Sequence, residues 1–385
     1  MPLFCRHPFY TSQYYENWRI TVSYLYLVYL FLGLPYSVLT NLLRPRRVED
    51  RQDPCFTLML IFRAVFRLMA CRRAARARLQ AALKNGQTRT ALLDLVVKIF
   101  FLPIMTTFLF IECGGFFSSF PALLKTAGDF YLKSGQPGGV PFAQPFNLFY
   151  SSAYHAIFII DVGLSIIGYA CSSRWLGNKS RSVDPYFTGW LAALICYPPF
   201  NGITSNYLPY NQAFGGEPYT VLLAGLIGGA AGTEAALSAI DTALKIMTLF
   251  AFSIYVWATM AFGLRFSNLT HRGIISRGPY AYIRHPAFVA KNIAWWTENL
   301  RNFSSPWQFV FLAVWNYIYY LRAVTEERHL GMDPRYIEYM NRVKSRFIPG
   351  VFSDIPSLIE HSRHTPEPKK SKERNSRFQI NSKFQ

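Results

Sequence analysis

The chain has 385 residues, 51% hydrophobic and 17% aromatic, with a formal net charge of +19. Several apolar runs are long enough to cross about 30 Å of hydrocarbon, which excludes a set of two or three ordinary soluble domains. The basic excess then reads as positive-inside loops and attraction to anionic lipid rather than as nucleic-acid binding. Six scattered cysteines, with no Cys-x-x-Cys and no His/Cys cluster, exclude a disulfide framework and a zinc site, and no metal is expected.

Residues 1–18 lack an apolar h-region, so a cleavable signal peptide is not expected. The first predicted span, 20–43, would serve as the insertion signal and would kink at Pro35. A basic surface loop follows. In 56–84 apolar residues and arginines recur at helical spacing. Arg63 and Arg67 are too costly for a lipid-facing span, so a helix lying in the membrane interface is expected. The arginines of 44–89 place this region on the cytoplasmic side.

A second span is predicted at 92–113, then a Gly-, Phe- and Pro-rich loop on the far side at 114–147. The third span, 148–171, carries His155 and Asp161. Ionisable residues inside a span point to function. Six residues apart they do not share a helix face, and a structural hydrogen-bonding role is the expectation for each. Residues 187–240 read as broken or re-entrant helices. The stretch 187–200 is short and ends in Pro198-Pro199. Gly225, Gly228, Gly229 and Gly232 do not fit a dinucleotide loop, so close helix packing through small residues is predicted for them. Glu234, just beyond, is left without a role.

A further span, 246–264, runs into a basic loop with Arg265, Arg272 and Arg277, again cytoplasmic by the positive-inside rule. Asn268-Leu269-Thr270 has the form of a glycosylation acceptor, unused on that side. The densest cluster of possible chemistry follows at 273–296. A Gly278-Pro279 turn leads through Tyr280 and Tyr282 to Arg284-His285-Pro286 and an apolar helix. Pro286 suits a first helical turn, and that helix N-terminus attracts an anion. Two apolar runs, 288–300 and 307–321, are separated by a turn and make a short hairpin. Beyond it Arg322 and Glu326 are four apart and share a helix face. The tail from His361 is polar and basic and is expected to be disordered.

The expected fold is therefore all-α: a polytopic membrane protein of about six to eight transmembrane or re-entrant helices. Its parts are an N-terminal membrane region (1–239) of unassigned role, a core (240–352) and a basic tail (361–385).

Gly278, Tyr280, Arg284-His285-Pro286, a helical hairpin, and then Arg322, Glu326-Glu327, Leu330, Tyr336, Tyr339 and Val343 form one ordered pattern. It resembles the isoprenylcysteine carboxyl methyltransferase family, which is itself similar to the phospholipid methyltransferases. The resemblance covers about 240–350. It implies S-adenosylmethionine as cofactor, bound on the cytoplasmic side, and a lipid or lipid-anchored acceptor of O-, S- or N-methylation. Ile274, Ile275, Tyr280, Arg284, His285, Pro286, Ala287 and Phe288 would form the cofactor site. Arg322 and Glu326 would face the reacting end of the substrate. Phe288 stands where the family has tyrosine, Ala290 where it has glycine, and Arg272 where histidine is common. Two other readings predict different behaviour. A membrane sterol-type reductase would bind NADPH, but Thr325-Glu326-Glu327 and Met332-Asp333-Pro334 replace its usual end pattern. A non-catalytic scaffold would tolerate the loss of Arg322 or Glu326.

Overall fold

The computed structural model describes isolated residues between 16 and 35, and then residues 86–132, 141–170, 178–212 and 214–350. Nearly all of the first predicted span, the interfacial helix at 56–84 and the basic tail lie outside the described residues.

The described chain is helical. In order it contains α1 (Gly86–Leu132), α2 (Ala143–Ala170), β1 (Ser182–Val183), α3 (Phe187–Leu194), α4 (Phe200–Tyr207), α5 (Tyr219–Phe262), β2 (Thr270–His271), a 3-10 turn (Gly278–Ala281), α6 (Pro286–Leu300), α7 (Pro306–Leu330) and α8 (Pro334–Arg342). The two strands form one antiparallel ladder that pairs Ser182 with His271 and Val183 with Thr270. Among the described residues three helices are long and apolar enough to cross a membrane: Gly86–Leu132, Ala143–Ala170 and Gly232–Arg265.

α1 corrects the predicted loop. Gly114 and Gly115 lie inside the helix, which continues to Leu132. At 47 residues it extends to about 70 Å, more than twice a bilayer's hydrocarbon thickness. Packing against α2 overrides the weak helix propensity of glycine here. Across that contact His155 Nδ1 lies 2.7 Å from Glu112 Oε2, and Ser152 donates to Ser119 Oγ at 3.0 Å. His155 thus has the structural role expected of it. So does Asp161, whose carboxylate accepts from Tyr255 Oη and Thr259 Oγ1, both at 2.8 Å, and so ties α2 to α5.

Of the glycines of 225–232, Gly228 packs closely, with Thr233 and Ala236 where a β-carbon would stand. Among the described residues nothing packs against the Cα face of Gly225 or Gly232. Instead the chain breaks at Gly229, whose φ of 60° and ψ of −171° are open only to glycine at low cost. The break separates an apolar segment, Tyr219–Gly229, from the candidate span that begins at Gly232.

The core follows from these contacts. Phe101 of α1 stacks on Tyr169 of α2 at 5.6 Å, and Val97, Met105, Val162 and Val183 close around them. A second cluster joins α5 to α6 through Phe252, Tyr255, Ala290 and Ala294. Ala290 and Ala294 are buried, so small side chains let the two helices approach. α7 starts at a capping box, in which Ser305 and Gln308 satisfy amides of the first turn and Pro306 occupies its first position.

Candidate functional site

The site is built where the end of α5, the loop 263–285 and the starts and ends of the α6–α7 hairpin meet. Gly278 opens the 3-10 turn with φ of 61°, a left-handed conformation that a β-carbon would strain. The turn carries Tyr280 into a buried position against Phe262, ring centroids 4.9 Å apart. Tyr339 of α8 donates to the Tyr280 carbonyl at 2.8 Å and holds the turn from behind.

Glu327 of α7 is the electrostatic centre of this region. It is fully buried. Arg284 Nε donates to its Oε1 at 2.7 Å, His285 Nε2 lies 3.1 Å from the same oxygen, and Arg346 Nη2 donates to Oε2 at 2.8 Å. Burial alone would raise the Glu327 carboxyl pKa. The hydrogen bond and charge of His285, then Arg346 and Arg284, reverse that and hold it at about 2. Arg284 also donates to the carbonyls of Val343 and Lys344, and the amides of Arg284 and His285 bond to Ser345 and Arg346. The Arg-His-Pro segment is thereby stitched to the end of the fold.

In front of this anchor lies a cavity enclosing about 1030 Å³, its open mouth included. It brings together all but one of the residues singled out by sequence. Ile274, Ile275 and Tyr280 line it from the loop, His285 and Arg284 from its edge, and Ala287 and Phe288 from the first turn of α6. Arg322 and Glu326 line it from α7. Pro286 does not, since its ring starts α6 in the wall. Arg284 lines the edge while its Nε points inward to Glu327. A smaller cleft, lined by Asp184, Thr325 and His329, shares Asn268, Arg322 and Glu326 with the larger one.

Arg322 is set by residues that sequence reasoning passed over. It donates to Asn268 Oδ1. The Asn268 amide donates in turn to the hydroxyls of Tyr169 at 3.0 Å and Tyr197 at 3.1 Å. The guanidinium also faces the rings of Phe288, Tyr197 and Tyr319 at 5.1–5.8 Å. Asn268, read as a glycosylation acceptor, is buried and used internally. Its signal in the sequence was a polar residue between an apolar span and the motif. Tyr197 comes from the N-terminal region, whose part in the site had no sequence signal. Lys291, one turn into α6, lines the cavity as well.

Two histidines, His271 in the cavity wall and His329 in the smaller cleft, are held neutral. His329 Nε2 lies 2.9 Å from Ser182 Oγ, and His271 Nε2 lies 3.8 Å from Asp333 Oδ2. Burial lowers both pKa values to about 4. The facing charges of His271 and Arg328 add to this at His329, while Asp333 opposes it at His271. The unfolded chain takes up these protons first, near pH 6.5. Stability is therefore complete above about pH 6.5 and declines as pH falls to about 4. The His329 contribution is up to about 1.4 kcal/mol per pH unit. Thermal unfolding across this range would register the decline, and His329→Gln should flatten it. An unchanged profile in that variant would sink this account.

Residues 231–333 match the model of the phospholipid methyltransferase family. The methyltransferase segment covers under a third of the chain and holds both halves of the site, the Gly278–Phe288 stretch and the Arg322–Glu327 stretch. Neither a curated protein nor a solved structure matches the chain. The match to the phospholipid methyltransferase model, together with three long apolar helices among the described residues, supports a membrane methyltransferase.

Proposed function

We propose that the protein is an integral-membrane, multi-pass methyltransferase that uses S-adenosylmethionine and acts on a lipid or lipid-anchored small molecule from the cytoplasmic side. The observation that carries this reading is the single cavity that joins the two halves of the family segment.

The residues present suit the cofactor. The first amides of α6 lack helical acceptors and face the cavity end where Ala287 and Phe288 lie, so they suit its carboxylate. The Tyr280 and Phe288 faces and the Glu326 carboxylate suit its sulfonium and ammonium groups. When bound, S-adenosylmethionine supplies an electrophilic methyl group. The chain's own residues then have to orient the acceptor and exclude water, since an in-line displacement needs alignment more than an acid or base. Arg322, fixed by Asn268 and by aromatic faces, orients the acceptor. Glu326, on the same helix face, balances charge beside it.

Cofactor binding to the detergent-purified protein tests this reading. S-adenosylhomocysteine should stabilise the protein against heat and NADPH should not. A response to NADPH alone would assign a reductase. A response to neither, from folded protein, would assign a scaffold.

A further inference from the structure

Among the charged groups that line the cavity, the reading above gives no role to Arg265, Arg272 or Lys291, and of these Lys291 stands on α6. Lys291 projects from α6 into the same cavity as Arg322. Its ammonium faces the rings of Trp295 at 5.2 Å and Tyr255 at 5.5 Å. Arg322 faces Phe288 and Tyr319. Phe288 and Tyr319 form an aromatic wall of the cavity at 5.6 Å, and Trp295 continues it outside the lining, 5.1 Å from Tyr319, each pair edge to face. The two cations repel one another along that wall.

Among the described residues neither cation has a carboxylate at ion-pair distance. Asp161 attracts Lys291 through space without reaching ion-pair distance, and its two oxygens accept from Tyr255 and Thr259. Glu326 is a carboxylate on the cavity wall and acts on Arg322. Two cations on a partly desolvated aromatic surface are costly without an anion between them. Their rings attract a cation only weakly compared with an oxyanion's charge-assisted hydrogen bonds.

We propose that Lys291 and Arg322 form an oxyanion subsite, where the lipid acceptor places a negatively charged carboxylate or phosphate group. The inference rests on the methyl-transfer reading for calling the ligand an acceptor. The subsite itself rests on the two cations and the wall. It makes Lys291 a specificity residue that selects lipids by headgroup charge. An amine-bearing lipid would be served better by the smaller cleft, where Asp184 and Glu326 lie.

The test uses the full chain in a nonionic detergent with saturating S-adenosylhomocysteine. Four probes share one oleoyl chain: oleate, oleoyl lysophosphatidate, monoolein and oleylamine. At least one oxyanion probe should bind about tenfold tighter than monoolein, as expected for one added charge-assisted bond. Whichever of oleate and the lysophosphatidate gains more identifies carboxylate or phosphate. Lys291→Met should bring that probe down to the monoolein level, and Lys291→Arg should keep most of the gain.

Three outcomes would overturn the proposal. Oleylamine could bind tightest. Lys291→Met could leave oxyanion affinity intact. Or Lys291→Met could weaken S-adenosylhomocysteine instead, making the cofactor's carboxylate the anion. Should the methionine variant fail to fold, the wild-type and Lys291→Arg ratios decide, and ratios near one overturn it. A wild type that ignores S-adenosylhomocysteine but binds the oxyanion probes would remove the methyl-transfer reading and leave the subsite.

Discussion

Glu327→Gln should cost the protein its fold in the C-terminal half, a loss of about 3–5 kcal/mol, because it breaks a buried ion cluster from the inside. The carboxylate is fully buried and receives Arg284, His285 and Arg346. Glutamine keeps the shape but leaves a buried cationic cluster without its anion. Size-exclusion chromatography and thermal unfolding in detergent would read the effect, and Glu326→Gln is the matched control. That neighbour lines the cavity and makes no such cluster, so its variant should stay folded. The same cluster has a pH signature. The Glu327 pKa, held at about 2, lies below the unfolded value near 4.3, so its stabilisation is present above about pH 4.3 and is lost as pH falls toward 2. An unfolding temperature for Glu327→Gln equal to that of the wild type would show that Glu327 does not hold the fold.

Arg322→Met should reduce methyl transfer by about a hundredfold or more, the usual scale for losing one preorganised charged contact at a reacting group. S-adenosylhomocysteine binding should survive on the proposed division of the cavity, in which Arg322 orients the acceptor and not the cofactor. Asn268→Leu removes the acceptor that positions Arg322 and should reproduce part of the loss while leaving Arg322 in place. Steady-state rates with a lipid extract as acceptor would measure both. If Arg322→Met stayed within fivefold of the wild-type rate, Arg322 would have no part in orienting the acceptor.

Local pattern carried much of this fold. Apolar length alone placed spans at 148–171 and 246–264, close to α2 and the second half of α5, and Pro286 marked the start of α6, because a proline ring is preorganised for a first helical turn. Pattern failed at glycine. Gly114 and Gly115 read as loop and are helical, with His155 of α2 packed against Gly115. Gly229 read as a packing surface and is a break because it adopts a positive φ. Propensity is a small quantity that a tertiary contact easily outweighs.

By itself the sequence determined the helical class, the order of the two motifs and the residue types that face each other: aromatics, cations and two adjacent glutamates. Only the tertiary structure decided how those glutamates divide. Glu326 and Glu327 are neighbours in the chain but point about 100° apart on α7, so one meets the cavity and the other meets Arg284, His285 and Arg346. It likewise decided that Asn268, itself bonded to Tyr197, holds Arg322, and that Lys291 lines the same cavity. These residues are scattered along the chain, and only packing brings Asn268 within bonding distance of Tyr197 and Arg322.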